Sequence, residues 1–263
     1  MIGQTQLTEI VDTIEFNTFP PSVILIGGSG CGKHLFCHEL QDKFKDIEFR
    51  YIDEKITHDL VEDCYTNPVP TVYIIDANRL SEREQNALLK LFEEPPNSAR
   101  IIILAESQSK VLPTVLNRAV QWVFAPYSRE ILKTFLNGGN EDILSVATTP
   151  GQVKELTNGK FEEMTALSNL MIDKLCVAAT PNALSITDKF SLKAGDNGYD
   201  LYVFLRLLKV VLLNRIENNS VKFSAGFSMY TKISTAMYNM LTFNVNKKQL
   251  LENLIMELKL IQW

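Results

Sequence analysis

Five short apolar runs, rich in β-branched residues, set the frame for what this chain can become. They are SVILIG (22–27), EFRYI (48–52), TVYIID (71–76), RIIILA (100–105) and VQWVF (120–124). Continuous apolar runs bounded by turn residues suit strands buried on both faces. Stretches of helical pattern lie between them, which implies βαβ units and a mainly parallel sheet. Ahead of the first run, Leu7, Ile10, Val11 and Ile14 recur at helical spacing, and Phe19-Pro-Pro ends that helix.

Past Tyr127 the strand signal fades. Ser128 can cap a helix through Phe135, and Asn137-Gly-Gly-Asn makes a turn. Further helices are predicted at Glu141–Ala147, Gly151–Leu156, Phe161–Ala178, Tyr199–Asn218, Ser228–Phe243 and Lys247–Ile261. In the last of these, Leu250, Leu251, Leu254, Ile255, Leu258 and Ile261 fall on one apolar stripe. There is no internal repeat and no low-complexity segment. The chain reads as an α/β domain, a small helical domain and a second helical domain.

Composition narrows the function classes. The 263 residues carry a net charge of -5, which argues against a protein that coats nucleic acid generally and leaves room for contact through a local patch. The cysteines, Cys31, Cys37, Cys64 and Cys176, include no C-x-x-C pair, so four reduced thiols are expected and no zinc module. The most apolar stretch, Leu201 to Leu213, is interrupted by Arg206 and Lys209, and MIGQTQLTEI lacks the pattern of a secretory signal. A cytosolic protein is expected.

The segment GGSGCGKH, Gly27 to His34, follows the first apolar run and precedes a helical pattern from His34 to Phe44. It fits G-x-x-x-x-G-K, a loop that cradles phosphates. Glycines (Gly27, Gly28, Gly30, Gly32) let successive N–H groups, including those of Ser29 and Cys31, face one anion. The helix N-terminus adds its positive end, and Lys33 would reach the β- and γ-phosphates. The position after the lysine normally carries a hydroxyl that ligates Mg²⁺. His34 stands there and offers no hard oxygen. The competing reading is a glycine-rich turn with no nucleotide.

Asp76 ends the third apolar run, where an acid can hold Mg²⁺ or its water. A hydrolysing site would want a second carboxylate next to it, and Ala77 has no acid–base chemistry. Asn78 and Arg79 do not replace it. Ser81-Glu-Arg-Glu84 is a capping box opening a helix, with Ala87, Leu88, Leu91 and Phe92 on one face and Pro95-Pro96 ending it. His34 and His38 are spaced to chelate, but no third ligand is evident. Trp122 and Trp263 read as packing residues.

The order Asp76, then Gln85-Asn-Ala-Leu-Leu-Lys90, then Glu93-Glu-Pro-Pro96 resembles clamp-loader subunits of the AAA+ superfamily, specifically the bacterial gamma/tau and delta-prime group. Gly3-Gln4 is similar to the N-terminal segment that packs near adenine in that family. In IIILAESQSKVLPTVLNRA, Ser107 falls at the sensor-1 position, and Asn117-Arg118-Ala119 falls on the family's Ser-Arg-Cys. Gly151-Gln-Val-Lys154 resembles the Gly-Ser-x-Arg of the sensor-2 helix, with Lys154 keeping the charge but not the planar fork. The resemblance covers roughly residues 1–160 by motif and the helical tail by length and type.

That resemblance implies an AAA+ α/β domain with a parallel sheet (1–126), a helical lid (127–162) and an all-α collar that makes an oligomeric ring (163–263). It implies Gly27 to His34, Asp76, Ser107 and Lys154 around ATP, with Mg²⁺ only if nucleotide binds, and no zinc, since the family's four cysteines are missing. Arg118 matches an arginine finger that reaches into a neighbour's ATP site. Implied partners are other clamp-loader subunits in a hetero-oligomeric ring, the sliding clamp, and primer–template DNA through the assembly, with no membrane. Alternatives are a gamma-like subunit that binds ATP and hydrolyses it slowly, and a structural AAA+-like partner with no nucleotide role. A P-loop kinase would need an acceptor pocket and an arginine-rich lid, and neither is evident.

Overall fold

A computed structural model describes the chain outside residues 53–57, 177–188, 191–197, 244 and 262–263. The end of the predicted helix over 161–178 and Trp263 therefore lie outside the described residues. The chain divides into two units, the first made of residues 1–131 with 149–151, the second of 132–148 with 152–263.

Unit one holds β1 (Ser22–Ile26), β2 (Glu48–Ile52), β3 (Thr71–Asp76), β4 (Ala99–Ala105) and β5 (Val120–Val123) in one sheet. Every pairing is parallel, in the order β2-β3-β4-β1-β5. Alternate residues of the three central strands feed two cores. Ile24, Ile26, Tyr73, Ile75, Ile101 and Ile103 pack on one face with Leu88, Leu91, Phe92 and Val115. Val23, Leu25, Val72, Ile74, Ile102 and Leu104 pack on the other with Leu7, Val11, Phe36 and Leu40. The strands are buried on both faces because helices cover both: α1 (Thr5–Thr13) and α2 (Lys33–Lys43) on one side, and α4 (Glu82–Ala87), α5 (Leu89–Glu93) and α6 (Pro113–Leu116) on the other. A further helix, α3 (His58–Thr66), contributes the buried Cys64 to the second of these layers.

Two runs expected to be buried on both faces are not. β2 is half-exposed along its length, and β5 leaves Val120 and Val123 exposed. Both are edge strands, which lack a neighbour on one side. Trp122 is the exception on β5 and packs edge-on against Phe19 and Phe36, with ring centroids 5.5 and 5.6 Å away. The helix opened by the Ser81–Glu84 capping box is real, but it breaks at Leu88 into α4 and α5. Its buried face is Gln85, Leu88, Leu91 and Phe92, while Ala87 is exposed.

Downstream, α7 spans Arg129–Lys133, α8 Ile143–Val146 and α9 Pro150–Glu155. Unit two is built on α10 (Phe161–Cys176), α11 (Leu201–Glu217), α12 (Phe223–Thr242) and α13 (Lys247–Lys259), each packed on the next in sequence. Asp200 caps α11 by accepting from the N–H groups of Tyr202 and Val203. That helix buries Leu201, Phe204, Leu205, Leu208 and Leu212. In α13 the predicted stripe is buried at Leu251, Leu254, Ile255 and Leu258, with Leu250 and Ile261 half-buried. Among the described residues, no helix is long and apolar enough to cross a membrane.

Candidate functional site

The carboxyl ends of β1, β3 and β4 are brought level by strand register: Ile26 pairs with Ala105, and Asp76 with Leu104. Gly27 N–H then donates to Ala105 C=O at 3.0 Å. The glycine loop, Asp76 and the segment carrying Ser107 thus issue from one edge of the sheet, where ligands of open α/β sheets bind. The loop turns through Gly30 and Gly32 at φ of 74° and 110°, a region that favours glycine, and Gly32 leads directly into α2.

The carbonyls of Ser29, Gly30 and Cys31 are held from outside the loop. Thr149 Oγ1 donates to Ser29 C=O at 2.7 Å, Gly151 N–H to Gly30 C=O at 3.0 Å, and Tyr127 Oη to Cys31 C=O at 2.6 Å. With the carbonyls turned away, the N–H groups of Gly28, Ser29 and Gly30 have no protein acceptor among the described residues. Successive N–H groups without a protein acceptor are what an anion nest requires. Gly151 sits so close that a Cβ on it would lie 2.5 Å from Gly30 Cα. Lys33 is buried, and its ammonium donates to the carbonyls of Gly27 and Gly28. Burial pushes the Cys31 thiol up, with the Lys33 charge opposing, so the loop carries a neutral sulfur.

The metal side of the site is different. Asp76 Oδ1 accepts from Asn78 N–H at 2.9 Å and from Asn78 Nδ2 at 2.8 Å, and Arg79 Nε lies 3.8 Å from Oδ2. The carboxylate is already hydrogen-bonded and charge-paired. Burial, then the Lys33 charge, holds the His34 imidazole below its usual value, so it is neutral at pH 7. Ala77 is buried. The residues present therefore fit a phosphate group and do not fit Mg²⁺. Among the described residues, no cluster of three or more His, Cys, Asp or Glu could hold a metal ion.

Ser107 is extended, and its hydroxyl shares a 2.8 Å hydrogen bond with Ser109. Lys154, in unit two, is exposed with Nζ 5.5 Å above the Phe135 ring. Arg118 follows α6. Its guanidinium donates from Nη1 to Thr114 C=O at 2.9 Å and from Nη2 to Glu93 Oε1 at 2.8 Å. Near the N-terminus, the buried Gln4 grips Ala125, giving and taking one hydrogen bond, each 2.9 Å. Tyr127 and Thr149 carried no sequence signal. Gly151 did, as part of the segment ending at Lys154.

The fold is a five-stranded parallel α/β domain with a glycine loop after β1 and a helical C-terminal region, an architecture like that of AAA+ proteins. The chain is similar to the RuvB Holliday junction branch migration motor of Thermotoga maritima, with a TM-score of 0.50 and 16% identity over 96% of this chain and 88% of that one. Within that class the resemblance is to DNA polymerase III subunits. Residues 32–128 match the family model described as DNA polymerase III, delta subunit. The DNA polymerase III subunit delta' of Haemophilus influenzae is 27% identical over 151 residues, covering 49% of this chain and 45% of that protein. The subunit gamma of Buchnera aphidicola is 28% identical over 152 residues, covering 51% and 40%. The matched stretch thus spans less than half the length of either curated relative.

Proposed function

We propose that this chain is a delta-prime-like clamp-loader subunit that works mainly on a neighbour's ATP. The kinship to delta' and gamma subunits supports the assembly role. The observation that carries the in-trans reading is Asp76, bound by its own Asn78 and Arg79 beside His34 and Ala77. A site without the hydroxyl, with its acid engaged and no second carboxylate, lacks what phosphoryl transfer to water requires. Gly27 to Lys33 would hold the phosphates of a bound nucleotide, with Ser107 and Lys154 at the sensor positions. ATP bound there would persist rather than turn over.

Arg118 then supplies the chemistry. As an arginine finger it would stabilise charge developing on the γ-phosphate in an adjoining subunit, an effect worth about 10³–10⁵ in rate. In this reading residues 1–126 form the AAA+ core, 127–162 a lid and 163–263 the collar that seats the chain in a cytoplasmic hetero-oligomeric ring. The ring would open and place a sliding clamp on primer–template DNA.

The test is ATP turnover by the purified chain and by the assembly it enters. The expected result is no turnover by the chain alone, and an assembly slowed by Arg118→Ala at unchanged composition. Sustained hydrolysis by the isolated chain overturns the degenerate-site reading and favours a gamma-like ATPase. The intact anion nest favours a second, narrower reading, in which the chain binds nucleotide as a fixed structural ligand.

A further inference from the structure

The Glu93-Glu-Pro-Pro motif begins at the end of α5. Glu93 is the last residue of α5, where the helix dipole favours a cation and disfavours an acid. An acid placed against that local preference calls for a compensating contact. Its Oε1 lies 2.8 Å from Arg118 Nη2, while Nη1 of the same guanidinium donates to Thr114 C=O at 2.9 Å. Two terminal nitrogens are therefore held by two different helices.

Both helices are anchored. Phe92, next to Glu93, and Val115, next to Thr114, lie in the same buried cluster. The Gln85–Lys90 segment ahead of it reaches the same stretch: buried Gln85 donates to Lys110 C=O at 3.0 Å and accepts from Leu112 N–H at 2.8 Å. Gln85 and Glu93 thus both end on the stretch that leads into Arg118. The arginine itself stays partly exposed, at 38% for its side chain. Arginine has five N–H donors, so the two contacts leave others free to face outward.

We propose that Glu93 is a positioning residue. It holds the Arg118 guanidinium in one orientation between α5 and α6, so that the fork meets a neighbour's site without first losing rotamer freedom. This rests on the reading of Arg118 as a finger acting in trans.

The test uses the assembly captured through a tagged copy of the full chain. Steady-state ATP hydrolysis is measured for the unmodified chain, Glu93→Gln, Arg118→Ala and the double variant. Glu93→Gln keeps length and volume while removing the charge. It is expected to lower kcat about two- to five-fold, the scale of one exposed ion pair, at unchanged KM and unchanged melting temperature. The deficit shrinks as salt is raised, because screening removes the ion pair from the unmodified chain too. In the Arg118→Ala background, Glu93→Gln has no further effect. If Arg118→Ala slows turnover but Glu93→Gln leaves it equal or faster, the positioning role is overturned. It is equally overturned if Glu93→Gln slows turnover as much in the Arg118→Ala background. If Arg118→Ala itself changes nothing, the finger reading falls and the positioning role with it.

Discussion

Substituting Gly151 by alanine sets two physical effects against each other. Gly151 is the second residue of α9, and its φ is not positive. On backbone grounds alone, alanine in a helix is favoured over glycine by about 0.5–1 kcal/mol. The surroundings argue the other way. An added Cβ would meet Gly30 at 2.5 Å from Cα, 3.0 Å from O and 3.2 Å from C, all backbone atoms that cannot rotate aside. Relief requires the turn and the glycine loop to part by roughly 1 Å, which takes the 3.0 Å Gly151–Gly30 and 2.7 Å Thr149–Ser29 hydrogen bonds beyond useful range. Two such bonds are worth about 1–3 kcal/mol together. Steric cost outweighs helix propensity, so Gly151→Ala should destabilise unit one by about 1–2 kcal/mol net, or roughly 2–8 °C in melting temperature. The assay is urea denaturation followed by Trp122 fluorescence in a Trp263→Phe background. Thr149→Val, which removes one bond and keeps the shape, should cost about 1 kcal/mol. An alanine variant as stable as the parent, or more so, refutes the idea that this turn clamps the glycine loop.

Gln85→Ala strips partners from Lys110 C=O and Leu112 N–H, and should lower the unfolding free energy by about 2–4 kcal/mol in chemical denaturation. The His34 imidazole is held below its usual value, so the unfolded chain takes up a proton that the folded chain resists. Stability should be flat above the ordinary histidine range near ~6.5 and fall as pH drops below it. His34→Asn should flatten that fall, as read from urea midpoints at neutral and mildly acidic pH. His34→Thr restores a hydroxyl beside Lys33, and should make ATP affinity depend on Mg²⁺ without producing turnover, because Ala77 still offers no carboxylate. An affinity indifferent to Mg²⁺ in titration calorimetry would count against His34 as the defect.

Much of unit one was legible in the sequence because its central strands are buried on both faces and leave an unbroken apolar run. The same signal misread β2 and β5. An edge strand and a central strand can share β-branched composition, and only the pairing order separates them. α12 begins at Phe223 rather than Ser228. Gly226 stands inside the helix, where any Cβ would strike the Ile216 side chain. The loop glycines and Lys33 were legible from spacing alone. The contacts that hold the loop between them were not, since Tyr127 and Thr149 lie far along the chain from Cys31 and Ser29. The Asp76 contacts show the same limit in a shorter span: Asn78 and Arg79 were visible as failed replacements for a carboxylate, and only the folded chain shows them occupying the carboxylate that remains.

The position of β1 in the sheet has a consequence for how the chain is made. Ser22 pairs with Ile101 on one side, and Val23 with Val120 on the other, so both partners of the strand are synthesised long after it. β3 and β4 are much nearer in sequence, with Thr71 opposite Ala99. Loop closure favours the nearer pair first, and parallel pairings across long separations form slowly. On the ribosome, VILI and the glycine loop behind it must wait, apolar and unpaired, until β4 emerges. The strand that presents the glycine loop is made before both of its partners and secured only after they emerge, and in that interval its apolar edge is open to aggregation.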